Sequence, residues 1–131
     1  MTSAAEHWLD VPGARIRYQT RGAGPILVVF GVPLPSSVFA PLAERLAKRR
    51  TVVTFDPRGF AGSSVDNPDE DLLPDTVAED LHLLLLKVAS GPVQIFGTSG
   101  GAVTGLALVA RHSEQVATLV AHEPPVVEAL P

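Results

Sequence analysis

The sequence predicts an α/β fold, in which a mostly parallel sheet carries helices on both faces. Three observations lead to this prediction. Continuous apolar runs rich in β-branched residues are typical of strands that are buried on both faces. Other segments repeat their apolar residues at helical spacing. From Pro25 onwards the two kinds of segment alternate as strand, helix, strand, helix, strand, helix, strand, which indicates βαβ units and therefore parallel strands.

The first half of the chain is interpreted as a hairpin followed by a βαβ unit. Residues 7–22 contain two short extended runs around "VPGA", a pattern typical of a β-hairpin. "GPILVVFG" at 24–31 and "TVVTFD" at 51–56 predict buried strands. The segment 36–50 between them predicts a helix. Its apolar residues at helical spacing are Phe39, Leu42, Ala43 and Leu46.

The second half begins with a long connection. Residues 57–75 are rich in Gly, Pro, Asp and Ser, which predicts a loop. Thr76 and Glu79 form a T-x-x-E capping box, which predicts a helix from there to about Ala89. The remaining predicted elements are a strand at 91–97, a helix at 101–112, and a strand at 115–123 that is stopped by Pro124 and Pro125.

Length and composition indicate one globular domain over residues 1–131, with 46% hydrophobic and 18% charged residues. The net charge of −4, with no basic cluster longer than "AKRR", argues against a nucleic-acid surface. Because there is no cysteine, disulfides and thiolate metal sites are excluded. No apolar run approaches the roughly 18 residues of a membrane span, and no secretory signal is visible. We therefore expect a soluble, cytoplasmic protein that uses neither a metal nor another cofactor.

Gly97-Thr98-Ser99-Gly100-Gly101 matches the pattern G-x-S-x-G at the junction of a predicted strand and a predicted helix. A serine at the top of such a sharp turn has a strained backbone, and the residues two before and two after it must be small. The N–H of Gly100 would then point to the place where an oxyanion forms, at the positive end of the helix. The alternative interpretation is a glycine-rich turn that binds phosphate at a helix N-terminus.

Four segments, in this order, resemble the α/β-hydrolase superfamily over essentially the whole chain. "RGAGPILVVFGVP" is similar to the family's third strand and the oxyanion loop that follows it. "FDPRGFAGSS" resembles its D-x-R-G-x-G-x-S segment, and "FGTSGG" resembles its nucleophile elbow. "LVAHEPP" resembles the end of its sixth strand, where a cap region usually begins. The fold that the resemblance implies is incomplete without the family's strands 7 and 8.

The resemblance implies a serine hydrolase that acts on an ester or related acyl substrate. Ser99 would be the nucleophile, and the N–H groups of Gly100 and Val32 would form the oxyanion hole. The chain departs from the family in having Phe30 where histidine is usual and Leu34 where glycine is common. Serine in the elbow argues against epoxide hydrolases and haloalkane dehalogenases, which carry aspartate there. Thioesterase, C–C hydrolase and perhydrolase chemistry stay open, because they use the same serine machinery.

The resemblance also implies that the catalytic acid and histidine follow strands 7 and 8 and are supplied from outside this chain. We expect a C-terminal half of the same hydrolase as partner, present as a second chain or a cleaved fragment, with a break at the exposed "VVEALP" end. The last predicted strand would otherwise leave an apolar edge unpaired, which natural proteins avoid. The isolated chain is expected to be nearly inactive.

Four histidines could be considered as a local base. His7 and His82 are expected at the surface, and His112 lies roughly 20 Å along its helix from Ser99, where it would interact with the helix C-terminus. His122 and Glu123 are the remaining candidates for base or acid, because they end the strand next to the elbow strand. A complete triad with Ser99 is disfavoured, since adjacent strand residues point to opposite faces.

Two further groups of polar residues are expected to have structural and not catalytic roles. The acidic segment "VDNPDEDLLPD" matches no EF-hand loop and is expected to be solvated. Asp56 and Arg58 resemble the family's structural pair after strand 4 and are expected to shape that turn. The alternative to an enzyme is a non-catalytic α/β-hydrolase-like domain that binds a small molecule or a partner protein, which the missing histidine before Gly31 favours.

Overall fold

The computed structural model describes residues 4–125, and within them seven strands form one sheet. The strands are β1 (Ala5–Val11), β2 (Ala14–Arg21), β3 (Ile26–Val32), β4 (Thr51–Phe55), β5 (Ser64–Val65), β6 (Val93–Ser99) and β7 (Val116–His122). The helices are α1 (Ala40–Leu46), α2 (Pro74–Val88) and α3 (Gly100–His112). The "VVEALP" segment, with its expected break, lies outside the described residues.

The main sheet order is β1-β2-β4-β3-β6-β7, and the short β5 pairs with β2. β4, β3, β6 and β7 run parallel, whereas β1–β2 and β2–β4 are antiparallel pairs. The predicted hairpin and the mostly parallel sheet are therefore confirmed. Among the described residues, the outer edge of β7 pairs with no strand, and Val120 in β7 is 51% exposed.

Helices cover both faces of the sheet. Successive residues of a strand point to opposite faces, so a strand that is apolar along its whole length needs a packing partner on each face. Val28 belongs to the core that packs beneath α2 and α3, together with Phe30 and Leu81. Its neighbour Val29 belongs to a second, smaller core beneath α1, with Ala43. The prediction of a sheet between two helical layers is confirmed. The parallel pairing of β3 and β6 places their C-terminal ends at one edge of this sheet.

The α1 segment is shorter than the predicted helix at 36–50. A 3₁₀ turn at Ser36–Phe39 comes first, and α1 follows only to Leu46. Phe39 is buried in the smaller core, but Leu42 is 42% exposed although it fits the helical spacing. The later residues Ala43 and Leu46 do pack into or against the smaller core, so Leu42 alone departs from the face that the spacing predicts.

The prediction of a capping box at Thr76 is wrong. α2 begins at Pro74, and its N-cap residue is Leu73, which makes no side-chain cap hydrogen bond. Proline suits the first turn of a helix, since its fixed φ is already helical and its missing N–H would have no partner there. The loop expected at 57–75 likewise contains β5. The acidic residues of this segment are exposed as expected: Asp66, Asp69, Glu70, Asp71 and Asp75.

The histidines of α2 and α3 meet each other. His7 is exposed, as expected, but His82 is partly buried and its ring stacks on that of His112 with centroids 3.6 Å apart. His82 Nδ1 lies 3.0 Å from Gln115 Oε1. His112 Nε2 lies 2.7 Å from Glu79 Oε2, so the expected interaction of His112 with its own helix end is replaced by a contact between helices.

The Glu79–His112 pair predicts a pH-dependent stability. Burial would raise the pKa of Glu79, but the contact with His112 and the nearby Arg111 outweigh burial and lower it. A lowered folded-state pKa means that the stabilisation is present above the unfolded-state pKa, near 4.3, and is lost as pH falls through the folded-state pKa. We expect Glu79→Gln to lower stability at pH 7 by at most about 1 kcal/mol, because the pair is partly exposed.

Urea unfolding of the parent and Glu79→Gln at neutral pH and near pH 3 tests this prediction. The difference between them should shrink at the lower pH. Glu114→Gln is the matched control, because Glu114 Oε1 lies 3.7 Å from His112 Nδ1 and the Glu114 side chain is 70% exposed. A difference that stays constant with pH, or an equal effect of the control substitution, would contradict the assignment.

No helix in the described part of the chain is long and apolar enough to cross a membrane.

Candidate active site

Ser99 occupies a sharp turn between β6 and α3, at the C-terminal edge of the sheet. Its backbone has φ 57° and ψ −125°, and its side chain is exposed and makes no cap hydrogen bond to α3. A positive φ is costly for a residue with a Cβ, so the surrounding structure must hold this conformation. The strained strand-to-helix turn that the G-x-S-x-G pattern predicts is present.

The glycines around Ser99 are required by close backbone contacts. A Cβ on Gly97 would lie 2.4 Å from the carbonyl oxygen of Gly101. A Cβ on Gly101 would lie 2.9 Å from Gly31 Cα. A Cβ on Gly100 would lie 2.5 Å from the carbonyl oxygen of Val32. Because real Cβ atoms essentially never come this close to backbone, any side chain at these positions would displace the turn.

The two expected oxyanion donors belong to neighbouring segments. Val32 is the register partner of Ser99 in the β3–β6 pair, and Gly100 lies against the Val32 backbone. The position before Gly31, where the family has histidine, holds Phe30, which is fully buried and packs on Phe55 with ring centroids 4.9 Å apart. Phe30 therefore serves the core beneath α2 and α3.

Leu34 Cδ1 would lie 2.9 Å from a Cβ at Gly31, so the leucine that replaces a common glycine packs directly on the segment that leads to Val32. Leu34 also packs against the smaller core beneath α1.

No hydrogen bond joins any of the four histidines to Ser99 within residues 4–125. His7 lies near Thr20, while His82 and His112 bind Gln115 and Glu79. His122, the nearest, places Nδ1 2.9 Å from Thr98 Oγ1. Glu123 is exposed and takes φ +50° where the chain leaves β7. The structure thus brings His122 to Thr98, and it brings neither His122 nor Glu123 into a hydrogen bond with Ser99.

Asp56 organises the turn after β4, as expected. Its carboxylate is fully buried and accepts hydrogen bonds from the N–H groups of Ser36 (2.7 Å) and Gly62 (3.0 Å) and from Arg17 Nη1 (3.3 Å). Burial alone would raise the pKa of Asp56, but these donors outweigh burial and hold it below its ordinary value. Asp56 therefore ties the turn after β4 to the segment that follows Val32.

Arg58 does not pair with Asp56. It forms a two-pronged ion pair with Asp80 of α2, with both N–O distances 2.8 Å, and it also donates to the Pro12 carbonyl. Asp80 raises the pKa of Arg58, whereas burial raises the pKa of Asp80 against the opposing effect of Arg58. Because two short bonds to a guanidinium require the ionised carboxylate, we take the pair as charged.

The sequence motifs do not indicate three polar residues that make the contacts described above: Arg17, Asp80 and Thr98. One of them had a visible signal. Asp80 lies among Val77, Leu81 and Leu84 on the apolar face of α2, and a carboxylate on a buried face requires a partner. In the part of the chain that the structure describes, no group of three or more His, Cys, Asp or Glu residues is arranged to hold a metal ion.

Residues 24–130 match the family described as the alpha/beta hydrolase fold, and the chain belongs to this family. The chain is 45% identical over 123 residues to the uncharacterised hydrolase YraK of Bacillus subtilis, covering 93% of this chain and 45% of that protein. It is 32% identical over 126 residues to the serine hydrolase BPHL of Mus musculus, covering 91% of this chain and 43% of that protein.

Among solved structures, a Pseudomonas aeruginosa protein described provisionally as an epoxide hydrolase superposes with a TM-score of 0.81 at 25% identity. The match covers 89% of this chain and 40% of that one. The chain thus spans less than half the length of the curated relatives that it matches. The α/β-hydrolase fold implied by the sequence motifs is confirmed.

Proposed function

We propose that this chain supplies the nucleophile of a serine hydrolase that acts on an ester or related acyl substrate. One observation carries the proposal: Ser99 stands at φ 57° and ψ −125°, between Gly97 and Gly101, whose approach leaves no room for a Cβ. Such a turn is costly and presents a hydroxyl at the C-terminal edge of a parallel sheet, where ligands of open α/β sheets bind. The membership of a hydrolase family supports it.

In the proposed reaction Ser99 Oγ attacks the acyl carbon while a base takes its proton. The negative oxygen is held by the N–H groups of Val32 and Gly100, at the N-terminus of α3. The bond to the leaving group then breaks, the leaving group takes the proton, and water hydrolyses the acyl-serine. The same sequence of steps would also hydrolyse thioesters and C–C bonds beside a carbonyl group, so these substrates remain alternatives to esters.

The base and the acid are proposed to come from the rest of the hydrolase, beyond residues 4–125, as a C-terminal half that completes the site. All four histidines of the chain already have other neighbours. Without these groups the nucleophile loses its activation. We therefore expect the isolated chain to hydrolyse esters roughly 10³-fold or more slowly than the hydrolase that includes the C-terminal half. The cytoplasmic location expected from the sequence stays a prediction.

A chimera tests this proposal. Residues 1–125 of this chain are joined to the part of the 45%-identical Bacillus subtilis hydrolase that follows the matched region. Hydrolysis of short-chain p-nitrophenyl esters and of acyl thioesters is measured for the chimera and for its Ser99→Ala variant. We expect hydrolysis by the chimera and a loss of roughly 10³-fold or more in the variant. Ser113→Ala, at the other end of α3, is the matched control and should leave the rate unchanged.

The second candidate is a domain that binds a small molecule or a partner protein without catalysis. The observation in its favour is Phe30, which fills the core at the position where the family usually has histidine. A folded chimera that hydrolyses none of the esters, or that hydrolyses them equally well after Ser99→Ala, would contradict the enzyme and favour the binder.

A further inference from the structure

A polar pair, Thr98 and His122, lies immediately beside the candidate nucleophile. Thr98 precedes Ser99 in β6, and it is the register partner of His122 in the parallel β6–β7 pair. The two side chains meet with Thr98 Oγ1 2.9 Å from His122 Nδ1. Neither residue has a part in the mechanism proposed above.

Each side chain of this pair also contacts a third residue. The His122 ring stacks on Phe96, with ring centroids 5.8 Å apart and planes inclined by 25°. Phe96 and Thr98 share one face of β6, because side chains two apart on a strand point the same way. The Thr98 methyl would lie 3.1 Å from a Cβ at Gly31, so it packs against the segment that leads to Val32. Thr98 is thus fixed through its methyl on one side and through its hydroxyl on the other.

We propose that His122 is a positioning residue, which acts through Thr98 to hold the peptide between Thr98 and Ser99. The inference rests on the proposed function of Ser99. The strained conformation of Ser99 persists only where its surroundings hold it, and Thr98, the residue before it, is held by contacts of both its hydroxyl and its methyl. On this account His122 is not the base, because its side-chain hydrogen bond is to Thr98 and none joins it to Ser99.

The test uses the chimera and the second-order rate at which a fluorophosphonate probe reacts with Ser99, together with the thermal midpoint. We expect His122→Ala and Thr98→Val each to slow labelling by roughly 3- to 10-fold, the effect of one hydrogen bond. The double variant should be no slower than either single one, because the same contact is removed. His122→Asn keeps a polar atom near the position of Nδ1 and should restore the rate to within about twofold of the parent.

His7→Ala is the matched control, because His7 Nε2 makes a similar exposed contact with Thr20 Oγ1, at 3.3 Å, on the far β1–β2 hairpin. An unchanged rate in His122→Ala would overturn the proposal. So would a loss of roughly 10³-fold that asparagine does not restore, since this would make His122 the base. Failure of the proposed function has a different result: the parent and Ser99→Ala would then label equally.

Discussion

Replacing Asp80 with alanine is expected to lower the free energy of unfolding by roughly 3–5 kcal/mol, which is the largest effect on stability that we expect in this chain. The substitution leaves the buried Arg58 guanidinium without the carboxylate that binds it through two 2.8 Å contacts. The remaining bond to the Pro12 carbonyl does not neutralise the charge. Since whole domains are stable by only about 5–15 kcal/mol, a large part of the variant should be unfolded or insoluble.

Urea or thermal unfolding, with soluble yield as a second measure, tests the Asp80 prediction. Asp75→Ala is the matched control, because the Asp75 side chain is 67% exposed and its ion pair with Arg111 is long, at 3.4 Å. This exposed pair should contribute less than about 1 kcal/mol. Replacing both partners, as Arg58→Met with Asp80→Leu, should recover much of the loss, because no buried charge remains. Equal effects of Asp75→Ala and Asp80→Ala would contradict the assignment.

Replacing Gly97 with alanine is expected to cause the largest loss of activity outside Ser99 itself. The added Cβ would lie 2.4 Å from the Gly101 carbonyl oxygen, so β6 and the start of α3 must separate. Overpacking of this kind costs about 1–3 kcal/mol of stability. A displacement of about 1 Å at a nucleophile can lower the rate by about 10²-fold. Ester hydrolysis by the chimera, corrected for the folded fraction, measures this loss.

Gly91→Ala is the control for Gly97→Ala, because a Cβ at Gly91 meets nothing within 4 Å. It should leave both the stability and the rate close to those of the parent. If Gly97→Ala is as active as Gly91→Ala, then the close approach of Gly97 and Gly101 does not hold the nucleophile. The elbow interpretation of the turn would then be wrong.

The sheet and the serine turn could be predicted because their causes lie within short segments. A buried parallel strand is apolar along its whole length, as in "GPILVVFG". The turn at Ser99 needs small residues at fixed offsets, and Gly97 and Gly101 stand at those offsets. Local competition explains the main error in the elements: Thr76 and Glu79 fit a capping box, but Pro74 starts the helix two residues earlier.

The long-range polar contacts could not be predicted, because they join distant parts of the chain. The sequence motif places Arg58 beside Asp56, but its partner Asp80 lies on another element. The contact of His122 with Thr98 depends on the register of β6 against β7, and this pair has an irregularity near Val93 that the sequence does not reveal. The alternation of side chains disfavours a triad of Ser99, His122 and Glu123, but it does not identify Thr98 as the partner of His122.

The most direct test of the central claim is to locate the covalent adduct of a fluorophosphonate probe by tandem mass spectrometry of the digested chimera. We expect the adduct on Ser99, and we expect Ser99→Ala to abolish it while Ser113→Ala leaves it in place. An adduct on a different serine, or a correctly folded chimera with no adduct on Ser99, would contradict the assignment of Ser99 as a nucleophile.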